Sequence, residues 1–86
     1  MLSTAEVGRR FWRGKSGKAS SVSSTGNKLF SYSTVILQRT VSGKVIGNTT
    51  KYSVTTSKHQ SHVRLWDADV TVNGVPRGVG DLINYL

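Results

Sequence analysis

Residues 50–63, Thr-Lys-Tyr-Ser-Val-Thr-Thr-Ser-Lys-His-Gln-Ser-His-Val, carry the densest structural signal in the chain. In the first half, polar and apolar residues alternate, with Tyr52 and Val54 on one side, which predicts a strand. In the second half, Ser57 is followed three residues later by Gln60. This is the pattern of a capping box, in which each side chain pairs with the other's free backbone N–H. We therefore expect a strand that leads directly into a helix.

Two further strands are predicted upstream of this stretch. Residues 28–40 form the main predicted strand, and apolar residues on both of its faces indicate that it is central. The pair Ser42-Gly43 turns the chain into a second strand over residues 44–48. Together with residues 51–55, these strands make a three-stranded antiparallel meander.

The C-terminal part contains the sequence signal of a hairpin. Within residues 70–75, Asn73-Gly74 supplies two residues that accept positive φ, as a tight hairpin turn requires. Pro76 restricts the return strand to an edge of the sheet. Asp81 is placed to cap a last short helix.

The N-terminal part predicts a helix followed by a flexible loop. Ser3 and Glu6 form a capping box at the start of a helix over residues 2–13, and Gly14 ends it. Residues 14–27 are rich in Gly, Ser and Lys. Such a composition buries too little apolar area to offset its ordering entropy, so we expect a flexible loop.

These elements predict one small α+β domain over residues 1–86. A meander of three or four antiparallel strands is covered by the N-terminal helix and the second short helix; the alternative is a small all-β barrel with helical turns. The chain has no cysteine, so neither a disulfide framework nor a thiolate metal site is available. No signal peptide or membrane-spanning run is seen, and we expect a cytoplasmic protein without membrane partners.

The net charge of +8 is unevenly distributed. Residues 1–64 contain eleven of the twelve Lys and Arg residues and a single acidic residue, Glu6. Residues 65–86 contain one basic residue against three acidic ones. This asymmetry favours a polyanionic partner, and the alternative is that the charge serves solubility.

Residues 9–18 combine five basic residues with Phe11 and Trp12. Basic side chains neutralise phosphates, and an exposed indole stacks on an unpaired base. The alternative is that Phe11 and Trp12 pack the helix onto the sheet while the arginines stay solvated. On the first reading, the nucleic-acid-binding residues are Arg9, Arg10, Trp12, Arg13, Lys15 and Lys18, with Lys51, Lys58 and Arg64 extending the patch.

Signals for catalysis are weak, and we expect neither an enzyme nor a cofactor. Residues 14–16, Gly-Lys-Ser, lack the earlier glycine that a phosphate-binding loop requires. His59 and His62 are three residues apart on the predicted helix, but a third metal ligand would have to come from Asp67 or Asp69. Packing or hydrogen bonding is the preferred role for the two histidines.

Residues 28–32 and 48–60 resemble a motif of small proteins encoded by phages and other mobile elements. In that motif a strand of the form Tyr-Ser-x-Thr-Thr-Ser leads into Lys-His-Gln, as it does here over residues 52–60. The resemblance covers roughly the middle half of the chain. These families have no settled biochemical function, so the resemblance implies a mobile-element origin rather than an activity.

The sequence therefore predicts a small phage-type protein that binds nucleic acid through phosphates, without reading base sequence. No homeodomain, zinc-finger or RNA-recognition pattern is present. The alternative is a phage-encoded inhibitor or adaptor, comparable to anti-CRISPR proteins, that docks on a host protein or nucleoprotein complex.

Overall fold

A six-stranded sheet with two helices forms the protein, as shown by a computed structural model that describes residues 2–86. Two single turns of 3-10 helix, Leu65–Asp67 and Ile83–Tyr85, complete the secondary structure of these residues. None of the helices in this described part is long and apolar enough to cross a membrane. The elements are α1 (Thr4–Trp12), β1 (Ser16–Lys18), β2 (Val22–Thr25), β3 (Lys28–Ser31), β4 (Thr34–Arg39), β5 (Val45–Asn48), α2 (Val54–His62) and β6 (Val70–Val72).

The strands lie in the sheet in sequence order, from β1 at one edge to β6 at the other. Each of the first five strands pairs antiparallel with its neighbour. The last strand, β6, pairs parallel with β5, because α2 crosses over the sheet between them. The α+β prediction is confirmed with more strands than expected. The barrel alternative is wrong, since the sheet is open.

Helix α1 begins where the sequence predicts. The Ser3 hydroxyl accepts the Glu6 N–H at 3.2 Å, and the Glu6 carboxylate accepts the Ser3 N–H at 3.0 Å, which completes the capping box. Val7 and Phe11 are fully buried against the sheet. At Gly8 a Cβ would approach the Val63 Cα to 2.9 Å, so the absence of a side chain lets α1 lie directly against the end of α2.

Residues 14–27 contain two strands where the sequence predicts only a loop. Ser16 and Thr25 pair across β1 and β2. Ala19 and Val22 are buried in the core beneath α1. The low apolar content of this segment misled the prediction, because backbone pairing and the cover of α1 stabilise it from outside the segment.

The predicted single strand over residues 28–40 is a hairpin. The chain reverses at Tyr32 and Ser33, and Tyr32 adopts a left-handed φ of 56°. In β4, a bulge places both Ile36 and Leu37 on the α1 side, while Val35 lies on the other side. Both faces of β4 are therefore buried, as predicted for a central strand.

Helix α2 begins four residues earlier than predicted. Ser53 is the N-cap, and its hydroxyl accepts the Thr56 N–H at 3.2 Å. Gln60 does not pair with Ser57; its side-chain amide instead donates to the Asn48 and Thr50 carbonyls at 2.6 and 3.2 Å. The predicted strand over residues 51–55 is thus wrong, because its residues form the loop and first turn of α2.

The predicted hairpin at Asn73-Gly74 is also wrong. The preceding strand, β6, pairs with β5 in the register Ile46 with Val70 and Asn48 with Val72. After β6 the chain does not return along the sheet edge; residues 73–86, the C-terminal segment, cross to the face opposite α1. Gly74 still supplies the expected positive φ, at 74°.

Each face of the sheet has its own core. On the α1 face the core residues are Val7, Phe11, Ala19, Val22, Leu29, Ile36, Leu37, Val45, Val63 and Leu65. On the opposite face, Val75 and Leu82 of the C-terminal segment pack on Val35, Ile46 and Val72. Asp81 accepts the Ile83 N–H at 2.9 Å, so it caps a single 3-10 turn rather than the predicted last helix.

Candidate nucleic-acid interface

Five of the predicted binding residues lie at one edge of the molecule, where α1 meets β1. The backbone links the two elements tightly, since the Lys15 N–H donates to the Arg10 carbonyl at 2.7 Å. The Arg10 guanidinium also donates to the Ser16 carbonyl at 3.3 Å. All five basic side chains are exposed. We call them the helix–edge cluster: Arg9, Arg10, Arg13, Lys15 and Lys18.

The helix–edge cluster extends around the sheet edge instead of occupying one flat surface. Gly17 faces α1, because a Cβ there would meet Arg10 Cδ at 2.8 Å. Side chains alternate along a strand, so Lys18 points to the opposite face of the sheet. Its cross-strand partner Ser23 pairs in turn with Phe30, which packs with the C-terminal segment on that face.

The other three predicted basic residues are not part of this cluster. Lys58 lines a cavity of about 340 Å³ together with Ser3, at the start of α1. Arg64 is paired with Asp67 at 2.8 Å. Lys51 is exposed in the loop after β5, which lies in the half of the sheet remote from β1.

Trp12 has the packing role that the sequence left as an alternative. Its indole N–H donates to the Val63 carbonyl at 2.8 Å and ties α1 to the end of α2. The ring is half-buried and meets Phe11 edge to face, with the ring centroids 5.6 Å apart. The polar edge of the indole is therefore occupied, and the ring supports the core.

All four acidic side chains are engaged by other protein groups, and Glu6 lies within one helical turn of Arg9 and Arg10. Asp67 pairs with Arg64, which is the one salt bridge among residues 2–86. Asp69 accepts the Val45 N–H at 2.8 Å. The pKa of Asp81 is lowered chiefly by the Ile83 N–H, with a further contribution from Gln38. The pKa of Glu6 is lowered in the same way, first by the Ser3 backbone.

Arg39 has a structural role that the sequence does not indicate. Its guanidinium donates to the Phe11 carbonyl at 2.8 Å, at the C-terminal end of α1, and also to the Gly26 carbonyl. It lies 4.7 Å from the centre of the Phe11 ring, within the range of a cation–π contact. Arg39 thus joins α1 to the sheet and is not available as a free surface cation.

His59 is buried in a network of hydroxyl groups. Its Nδ1 is 2.7 Å from the Ser31 hydroxyl, and its Nε2 is 3.3 Å from the Ser21 hydroxyl. Burial lowers the pKa of His59, and the neighbouring His62 lowers it further. In the described part of the chain, no three His, Cys, Asp or Glu side chains are grouped so as to hold a metal ion.

Tyr32 separates two polar clefts that the sequence did not indicate. The first, the Arg77 cleft, has a volume of about 180 Å³. The second, the Lys18 cleft, has a volume of about 270 Å³. The Arg77 cleft is lined by Ser31, Tyr32, Ser33, Thr34, Tyr52, Ser53, Thr56 and Arg77, and the Lys18 cleft by Lys18, Ala19, Ser20, Ser21, Val22, Ser23 and Tyr32.

These features define a small basic α+β protein with an open sheet and a cationic edge. The chain belongs to a family of unknown function, DUF8033, whose model matches residues 10–76. No curated protein and no solved structure matches the chain. The resemblance to mobile-element proteins therefore stays a prediction.

Proposed function

We propose that the protein binds nucleic acid by contacting phosphates through the helix–edge cluster, without reading base sequence. One observation supports this most directly. The five cluster side chains are exposed, whereas the acidic side chains hold backbone groups, Gln38 or Arg64. Five cations beside the single carboxylate of Glu6 give this edge a net positive charge, which favours the binding of a polyanion.

The cluster binds through counterion release. Each phosphate that a Lys or Arg side chain neutralises frees condensed cations from the nucleic acid, which favours binding at low salt. Such contacts carry no base information, because every nucleotide presents the same phosphate. The buried face of α1 is occupied by the core, so the contacts with nucleic acid are made by the exposed face, which carries Arg9 and Arg10.

The salt dependence of binding tests this proposal. The double variant Arg9→Gln/Arg13→Gln removes two exposed charges from the cluster, and Lys44→Gln/Lys51→Gln removes two exposed charges elsewhere. Fluorescence anisotropy with a labelled DNA duplex gives the affinity at several salt concentrations. The slope of log K against log salt is negative. We expect the cluster variant to reduce its magnitude by about 2 and the control variant to leave it unchanged. An equal loss in both variants, or no binding by the unmodified protein at low salt, would contradict the proposal.

Docking on a host protein is the second candidate, favoured by the exposed indole of Trp66 in the 3-10 turn Leu65–Asp67. Trp66 is 71% exposed, and Val70, four residues later at the start of edge strand β6, is 40% exposed. Exposed aromatic residues beside a free strand edge are typical of protein contacts. A pull-down from nuclease-treated host lysate distinguishes the candidates when the native chain is compared with Trp66→Ala, which removes the proposed contact. A protein retained by the native chain and lost by the variant supports docking.

A further inference from the structure

Tyr32 is held in a conformation that its side chain disfavours. It occupies the turn between β3 and β4 with φ at 56°, a region where glycine is normally preferred. Its N–H donates to the Ser21 carbonyl at 2.7 Å, which fixes the turn against the preceding loop. The ring nevertheless remains 61% exposed. One side of the ring contacts His59, with the ring centroids 5.8 Å apart. The exposed remainder of the ring, combined with local backbone strain, is typical of a binding site.

The surroundings of the ring are polar on both sides. Toward the Arg77 cleft lie several hydroxyl groups and the Arg77 side chain, which is held by its hydrogen bond to the Tyr52 carbonyl at 2.8 Å. Toward the Lys18 cleft lie further serines and Lys18. The ring is thus an exposed planar surface with one cation in each adjoining cleft.

Lys18 belongs to the helix–edge cluster and also lines the Lys18 cleft, so this one residue joins the two surfaces around the edge of the sheet. A phosphate chain that contacts Lys18 therefore lies at a cleft whose lining also includes Tyr32. Cations next to a flat ring match a single nucleic-acid strand, in which charged phosphates alternate with flat apolar bases. Single-stranded nucleic acids are generally held by a basic groove combined with aromatic rings on which bases stack.

We infer that Tyr32 stacks on an unpaired base of a single-stranded nucleic acid, while Lys18 and Arg77 contact the phosphates on either side. The inference rests on the proposed function and refines it, because it names the form of nucleic acid that is preferred. A duplex keeps its bases stacked on each other and presents no free base to Tyr32.

The variant Tyr32→Gly is the most informative test. It removes the ring, and it relieves the left-handed backbone, so the fold is expected to persist. Tyr32→Phe keeps the ring without its hydroxyl. Trp66→Ala is the matched control, since it removes an aromatic ring of similar exposure elsewhere on the surface. Circular dichroism checks the fold of each variant.

Binding is measured by anisotropy with labelled oligothymidylate, oligouridylate, a DNA duplex and an abasic oligonucleotide of equal phosphate count. We expect Tyr32→Gly to weaken binding to the oligothymidylate or oligouridylate about tenfold, the scale of one lost aromatic–base stack. Its binding to the abasic strand and to the duplex should remain within about twofold, and Tyr32→Phe and Trp66→Ala should bind like the native chain.

Two results would overturn the inference. Either Tyr32→Gly binds oligothymidylate and oligouridylate as the native chain does, or it weakens binding to the abasic strand by the same factor. In both cases the duplex salt slope of the Arg9→Gln/Arg13→Gln variant still reports separately on the proposed function. If the native chain binds none of the four probes at low salt, both proposals fail together.

Discussion

The two faces of the sheet are covered by different kinds of structure. On one face lies α1, which satisfies its backbone groups internally and presents Val7 and Phe11 to the core. On the other face lies the C-terminal segment, which has only one turn of 3-10 helix. A buried chain without regular structure must find hydrogen-bond partners for its backbone elsewhere.

The sheet supplies these partners from polar side chains at buried positions. The Leu82 N–H donates to the Gln38 side-chain oxygen at 2.7 Å, and the Gly78 N–H donates to the Thr34 hydroxyl at 2.8 Å. Both polar residues are nearly inaccessible to solvent. The comparison teaches that a buried polar residue in a strand can indicate irregular cover on its face, because such cover needs side-chain partners for its backbone groups.

Truncating a buried side chain on the helix-covered face is expected to cause the largest loss of stability. Phe11→Ala removes a fully buried ring and its contact with Arg39, and should lower the free energy of unfolding by about 3–5 kcal/mol. Urea denaturation measures the loss. Val41→Ala, at a fully exposed position, is the control and should leave stability unchanged. A loss below about 1 kcal/mol for Phe11→Ala would mean that α1 does not cover a packed core.

Removing a polar partner from the other face is expected to cost less. Gln38→Leu leaves the buried Leu82 N–H without its acceptor, which should lower the free energy of unfolding by about 2 kcal/mol. The same urea experiment applies, with Thr71→Val on the exposed edge strand as the control. If Gln38→Leu left stability unchanged or raised it, hydrogen bonds from buried polar side chains would not be what keeps the C-terminal segment on the sheet.

The smallest expected effect is a pH dependence of stability caused by His59, which forms polar contacts on the helix-covered face. Burial lowers the pKa of His59 below its ordinary value of 6.5, so the unfolded chain takes up the proton more readily. The contribution of neutral His59 to folding stability is complete above the pKa of the unfolded state. It is lost as the pH falls toward the pKa of the folded state. Melting temperatures between about pH 7.5 and about pH 5.5 should therefore decline on acidification.

Two substitutions separate His59 from its neighbour. His59→Gln should flatten this part of the pH profile, whereas His62→Gln, at an exposed position, should leave most of the slope in place. A native profile that is flat over the same interval would show that burial of His59 does not resist protonation.

Local signals predicted the elements that depend on local interactions. The Ser3–Glu6 capping box sets the start of α1 through contacts within four residues, and it appears as expected. At α2 two serines compete for the same role. The pattern favours Ser57, but Gln60 is drawn away to the Asn48 carbonyl, so Ser53 caps the helix. That competition depends on tertiary contacts, which a capping motif does not encode.

The candidate site was predictable in its charges and not in its aromatic residue. The helix–edge cluster lies within residues 9–18, so its location at one edge follows from one helix and the strand after it. Tyr32 lies within the regular strand pattern of residues 28–40, which predicts an uninterrupted strand. No neighbouring residue indicates its left-handed backbone conformation. Trp12 carried the stacking prediction, but whether an indole faces solvent or core depends on how α1 docks against Val63.

The crossover of α2 also constrains the order of assembly. Five strands can join by closing one neighbouring segment at a time, which costs little chain entropy. The last strand cannot join in this way, since its place beside β5 exists only after the intervening helix has docked. Until then the backbone edge of β5 is unpaired, and its apolar residues are accessible to other chains. If synthesis stopped before residue 70, β5 would never gain its partner strand, and such fragments should accumulate as aggregates.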